Sequence, residues 1–211
     1  MTDSVERQAR NLAHLYLRRD GQRVDHADRM AERVRTAAHL QSGVPPSRLV
    51  AAAQLADLGT SPDLDRLGFA PLDGALFLSS LGWPEDIVRL VAHFPVSALC
   101  AKQFGVEHLL AVIEPVPGLP GEILLWADIT SSPLPGWAAV EQRVSREIAD
   151  ATGTAMPQRV RERMQARIAR AVTHVERALA DPRRSGRRYE GRPETSGGVE
   201  LRRAGAEADR D

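Results

Sequence analysis

Apolar side chains recur at intervals of three and four residues along nearly all of the chain up to residue 180. This spacing matches the 3.6 residues of a helical turn, whereas alternating β-branched runs and Asn-Gly hairpin turns are scarce. We therefore expect an all-α fold. The predicted helices cover about 3–19, 25–42, 48–58, 72–81, 84–94, 97–104, 121–129, 137–151 and 157–180.

The composition changes after residue 180. The segment 181–211 is rich in arginine and glutamate, and its only large apolar side chains are Tyr189, Val199 and Leu201. Such a segment cannot bury enough apolar surface to offset the entropy lost on ordering. Since 180 residues suit one domain, we predict a single globular helical bundle over 1–180 and a disordered tail over 181–211.

Charge and cysteine content exclude several classes of protein. The chain carries 28 basic and 28 acidic residues, so no net charge attracts it to nucleic acid or an anionic membrane. A single cysteine, Cys100, excludes a disulfide framework and a cysteine-rich zinc module. The first residues are charged, and no apolar run approaches the ~20 residues of a spanning helix. We expect a cytoplasmic protein without a membrane partner.

The last predicted helix offers a nucleic-acid alternative, because it carries a series of arginines. They alternate with an apolar stripe, which is typical of a solvated helix face, and no aromatic residues accompany them for base stacking. The pattern disfavours nucleic acid as a partner and leaves any protein partner undetermined. The arginines are Arg159, Arg161, Arg163, Arg167 and Arg170.

Two predicted helices are apolar nearly all round, and each carries one carboxylate near its C-terminal end, Asp57 or Asp128. Burial disfavours an ionised carboxylate, and so does the negative end of the helix dipole. Two explanations remain open. Each aspartate is a structural acceptor that bonds loop amides or an arginine, or both aspartates share a cation.

Two histidines are further candidates. His26 falls on the same helix face as Met30 and Val34, so it points inward. An inward histidine is more often a core residue than a metal ligand. His93 lies at the edge of an apolar helix face, just before Pro95.

The stretches around His26, Ala56-Asp57 and Asp128 resemble the motifs of the HD-domain superfamily, which consists largely of metal-dependent phosphohydrolases. The runs 68–75 and 90–94 are similar to those of a bacterial subgroup of small, stand-alone HD proteins, and the likeness covers about 22–180. The resemblance implies an HD-like bundle in which His26, Asp57 and Asp128 hold a metal ion. It also implies a nucleotide or another small phosphorylated molecule as substrate, with His93 at its phosphate or acting as an acid or base.

The departures from the family pattern concern the imidazoles. Ala56 replaces the histidine of the His-Asp pair, while Ala70 and Phe94 stand where further histidines are expected. One imidazole and two carboxylates would hold Mg²⁺ or Mn²⁺ weakly, with water completing the coordination. Asp73 would support this site or cap a helix.

Two functions follow from this pattern. The replacements favour a non-catalytic or weakly active relative with a degraded metal site, with no cofactor or a weakly held one, that acts as a ligand-binding or interaction module. The alternative is an active mononuclear Mg²⁺- or Mn²⁺-dependent phosphohydrolase of nucleotides or other phosphoesters. Both interpretations require His26, Asp57 and Asp128 to meet in one internal pocket.

Overall fold

The computed structural model describes residues 2–132 and 138–181. Within these ranges the chain forms ten α-helices and two short 3-10 helices and contains no strand, which confirms the all-α prediction. The α-helices are α1 Thr2–Leu17, α2 Gly21–Ala37, α3 Pro46–Leu55, α4 Ala70–Ser80, α5 Glu85–Ala92, α6 Ser97–Cys100, α7 Glu107–Ala111, α8 Leu119–Ser131, α9 Ala138–Thr152 and α10 Gln158–Ala180. The 3-10 helices are Ala38–Leu40 and Leu58–Thr60.

Helix boundaries differ from the prediction where side chains cap the backbone. Asp20 accepts hydrogen bonds from the backbone N–H groups of Gln22 and Arg23, so α2 begins at Gly21 and not near residue 25. Consequently His26 lies in the second turn of α2 instead of at its start. Helix α7 was not predicted, because five residues are too short to show a period.

Helix α8 lies in the centre of the bundle. It packs against both α2 and α10, while α3 packs against α1 and α2. Its residues Ile123, Leu124 and Leu125 are at most 1% exposed. A helix that is apolar nearly all round is typically buried, and the central position of α8 provides such surroundings.

Gly59 fixes the turn that follows α3. A Cβ atom at this position would lie 1.9 Å from the carbonyl oxygen of Ala70 and 2.5 Å from the backbone nitrogen of Gly74. Only glycine therefore allows the 3-10 helix Leu58–Thr60 to pack directly on α4. This contact fixes the position of the preceding residue, Asp57.

No helix among the described residues is long and apolar enough to cross a membrane. The predicted tail lies outside the described residues, apart from Asp181.

Candidate functional site: a buried ion cluster

A histidine and an aspartate from distant parts of the chain meet between α2 and α8. His26 Nε2 lies 2.9 Å from Asp128 Oδ1, and the two side chains are 12% and 2% exposed. His26 reaches α8 because it shares the inward face of α2 with Met30, as the helical spacing predicts. Two of the three predicted site residues are thus in direct contact.

Arg143 of α9 supplies the positive charge of this site. Its guanidinium donates to Asp128 Oδ2 at 2.7 Å and to Oδ1 at 3.4 Å, and it lies 3.8 Å from Asp57 Oδ1. Both carboxylates therefore share one cation, and that cation is a side chain. We call His26, Asp57, Asp128 and Arg143 the ion cluster.

Asp57 enters the cluster from a turn and not from a helix. Helix α3 ends at Leu55, and Asp57 precedes the 3-10 helix Leu58–Thr60. Its carbonyl oxygen accepts from the N–H and the hydroxyl of Thr60, and its side chain is 9% exposed. The helix predicted over 48–58 is present, but its predicted end is wrong, because the chain turns after Leu55 and Gly59 contacts α4.

The charges of the cluster stabilise one another. Burial by itself raises the pKa of Asp128, but the charge of Arg143 and the hydrogen bond from His26 outweigh it and lower that pKa below 3.8. Burial by itself lowers the pKa of Arg143, and the two aspartates raise it overall. The cluster therefore contains a firmly ionised pair at neutral pH.

Glu147 lies one turn beyond Arg143 on α9, and its pKa is shifted in the opposite direction to that of Asp128. Burial raises its pKa above 4.5, the nearby Arg143 lowers it, and the negative charge of Asp57 raises it again. The raised value means that the ionised form of Glu147 is disfavoured in the folded protein. One arginine thus serves two aspartates and leaves little attraction for a third carboxylate.

The residues in this arrangement do not fit a divalent metal ion. Asp128 directs both carboxylate oxygens at protein donors, and a metal beside Asp57 would face the like charge of Arg143. Within the described ranges, no group of three or more His, Cys, Asp or Glu side chains could hold a metal ion. The pairing with an arginine is one of the two explanations that the sequence leaves open for these aspartates.

His93, the predicted catalytic residue, makes its contacts elsewhere. Its Nε2 donates to the carbonyl oxygen of Ile113 at 2.6 Å. Burial lowers the pKa of His93, and the positive charges of Arg167 and Arg89 lower it further. In the part of the chain that the structure describes, no contact joins His93 to the ion cluster, so its catalytic role stays a prediction.

Asp73 accepts hydrogen bonds from the backbone and contacts no residue of the ion cluster in the part of the chain that the structure describes. Its buried carboxylate accepts from the backbone N–H groups of Arg66, Leu67 and Phe69, the last of which caps α4. Asp73 therefore holds the loop before α4 and is not itself the helix cap.

Sequence reasoning missed Arg143 and Glu147. On α9 the buried residues Val140, Val144 and Ile148 form an apolar stripe, and Arg143 and Glu147 each lie one position before a member of it. Two opposite charges, four residues apart at the edge of an apolar stripe, are the signal that could have identified them.

A second polar network centres on Asp28. Its carboxylate accepts from Gln54 at 2.7 Å, contacts His14 Nε2 at 3.1 Å and pairs with Arg10 at 3.3 Å. Burial by itself raises the pKa of Asp28, but the hydrogen bonds from His14 and Gln54 lower it overall. His14 of α1 therefore belongs to a polar network that joins α1, α2 and α3.

Cys100 is buried, and burial raises the pKa of its thiol to about 12. It therefore stays protonated at neutral pH and behaves as a small apolar side chain.

Comparison of the chain with protein-family models, with curated proteins and with solved structures finds no match.

Proposed function

We propose that this protein is a non-catalytic relative of the HD-domain phosphohydrolases that acts as a binding module. The observation that carries the proposal is the contact of 2.7 Å between Arg143 and Asp128 Oδ2, with Asp57 3.8 Å from the same guanidinium. In this proposal the arginine takes the place of the metal ion as counter-charge to both aspartates.

A guanidinium neutralises carboxylates but cannot replace the metal in hydrolysis. It has donors only, it offers no coordination position to water, and it stays protonated near neutral pH. It therefore cannot generate a metal-bound hydroxide nucleophile. The ion cluster would then stabilise the junction of α2, α8 and α9 and not take part in a reaction.

The alternative function, a mononuclear Mg²⁺- or Mn²⁺-dependent phosphohydrolase, requires Arg143 to leave the cluster. That movement would break a buried pair and cost about 3–5 kcal/mol, which metal binding would have to offset. The degraded site, with Ala56 buried beside Asp57, adds no nitrogen ligand to offset it.

The proposal includes a cytoplasmic location and a small phosphorylated ligand. The location rests on the single cysteine, which is buried and unpaired, as is usual for proteins of a reducing compartment. The ligand class follows from the family resemblance.

Hydrolysis assays on untagged protein test the proposal. Inorganic phosphate release from p-nitrophenyl phosphate and from nucleoside monophosphates would be measured with added Mg²⁺ or Mn²⁺, for the natural chain and for Asp128→Asn. We expect the two proteins to release phosphate equally slowly, because any residual rate comes from contaminants. Metal-stimulated release that Asp128→Asn abolishes would establish the alternative function.

A further inference from the structure

A cavity of about 560 Å³ lies between α1, α2, α3 and α8, and no residue of the ion cluster lines it. Its volume is within the usual range of sites for small molecules. We call it the arginine cavity because four arginines line it. They are Arg10, Arg29, Arg33 and Arg35.

The two acidic residues of the arginine cavity already have partners. Asp28 is held by Arg10, Gln54 and His14, as described above. Glu32 pairs with Arg35, which also donates to Glu6 at 2.9 Å. The acidic residues therefore neutralise the charges of Arg10 and Arg35, but they do not neutralise those of the other two arginines of the cavity.

Arg29 and Arg33 lie one helical turn apart on α2 and have no carboxylate partner among the described residues. Arg29 Nε donates to the backbone carbonyl oxygen of Ser131 at 3.0 Å, which leaves its other N–H groups available. The guanidinium of Arg33 lies 6.0 Å from the centre of the Trp126 ring. These two contacts fix the arginines without neutralising them.

The α8 wall of the cavity also carries unsatisfied hydrogen-bonding capacity. The hydroxyl of Ser131, which lines the cavity, is buried and has no hydrogen-bond partner among the residues that the structure describes, and Ser131 is 6% exposed. Buried polar groups without partners are uncommon in folded proteins, so this hydroxyl points to a ligand that supplies an acceptor.

We infer that the arginine cavity binds a small molecule through its phosphoryl group, with Arg29 and Arg33 as the charged contacts and Ser131 as a neutral one. Paired guanidinium groups suit the several oxygens of a phosphate better than a single charged oxygen. The inference rests on the proposed binding function, but its residues are not those of the ion cluster.

Inorganic phosphate is the probe for this site, because it is the group that all such ligands share. Binding to the full chain would be followed by titration calorimetry and by the chemical-shift changes of arginine side-chain N–H signals. We expect saturable 1:1 binding in about the millimolar range. Arg33→Gln should weaken it about tenfold or more, the loss of one charge-assisted contact.

The matched control is Arg163→Gln, because Arg163 is exposed on α10, far along the chain from the cavity. It should bind phosphate as the natural chain does. Arg29→Gln and Arg29→Lys form a second pair, in which the lysine variant should bind more tightly than the glutamine variant. Since Arg33 is exposed, Arg33→Gln tests the site even if the Arg29 variants are unstable.

Two results would overturn the inference: no saturable phosphate binding, or binding that Arg33→Gln and Arg163→Gln weaken equally. Adenosine monophosphate and adenosine extend the test, and only the former should bind. A different result would show that the proposed function is wrong. In that case the protein would hydrolyse a phosphoester in a metal-dependent reaction, and Asp128→Asn would abolish this activity.

Discussion

Arg143 donates to Asp128 Oδ2 across 2.7 Å, and through this contact α9 is joined to the central helix α8. The same guanidinium lies 3.8 Å from Asp57, so three elements meet at one cation. Asp128 is fully buried, and the charge of Arg143 offsets the cost of burying its carboxylate.

Replacement of Arg143 by methionine should destabilise the fold strongly. The variant keeps most of the side-chain length but leaves two buried carboxylates without a counter-charge, which costs about 3 kcal/mol or more. Urea unfolding followed by circular dichroism gives the free energy of unfolding. Arg146→Met is the matched control, because Arg146 is exposed on the same helix, and it should change stability by less than about 0.5 kcal/mol. Equal effects of the two substitutions would contradict the role of Arg143.

The cluster should also make stability depend on pH in the acidic range. The pKa of Asp128 in the folded protein lies below its ordinary 3.8. At pH values between the folded-state pKa and 3.8, the unfolded chain therefore binds more protons than the folded protein does. The stabilisation is therefore present above pH ~4 and is lost as the pH falls through the folded-state pKa. The free-energy difference between the natural chain and Asp128→Asn should be largest near pH 6–7 and should narrow below pH ~4. A difference that stays constant down to pH 3 would argue against the pair.

Glu147 should show the opposite dependence. Its folded-state pKa is raised above 4.5, so its contribution to stability is present below that value and is lost as the pH rises through the folded-state pKa. Glu147→Gln should therefore be as stable as the natural chain or more stable at pH 7, by less than about 1 kcal/mol. The gain should disappear near pH 4. A variant that is much less stable at pH 7 would show that the carboxylate has a favourable partner.

Gly59 tests the packing that places Asp57. Gly59→Ala introduces a methyl group 1.9 Å from a backbone oxygen of α4, so the turn must shift and stability should fall by about 3 kcal/mol or more. Gly21→Ala, where nothing lies within 4 Å at the start of α2, should be neutral or stabilising by up to about 1 kcal/mol. Thermal unfolding of both variants gives the comparison, and a Gly59→Ala protein with an unchanged midpoint would refute this account of the turn.

The fold class and the burial of Asp57 and Asp128 could be predicted, because each carboxylate lies in a continuous apolar run. The identity of their partner could not. Arg143 lies in a helix whose charges look like those of a surface helix, and one position of offset from the apolar stripe brings it inward. Its place at the edge of that stripe makes Arg143 a candidate, but which of the many arginines reaches the aspartates depends on how α9 packs against α8.

We propose that a guanidinium replaces the metal ion that the family resemblance implies, and a Mn²⁺ titration distinguishes the two cations. Free Mn²⁺ gives a sharp electron paramagnetic resonance spectrum that bound ion loses. For untagged protein we expect the free signal to match buffer at every addition, with less than about a tenth of an equivalent bound. Binding of about one Mn²⁺ per chain, seen as a loss of the free-ion signal that does not occur with Asp128→Asn, would contradict the proposal.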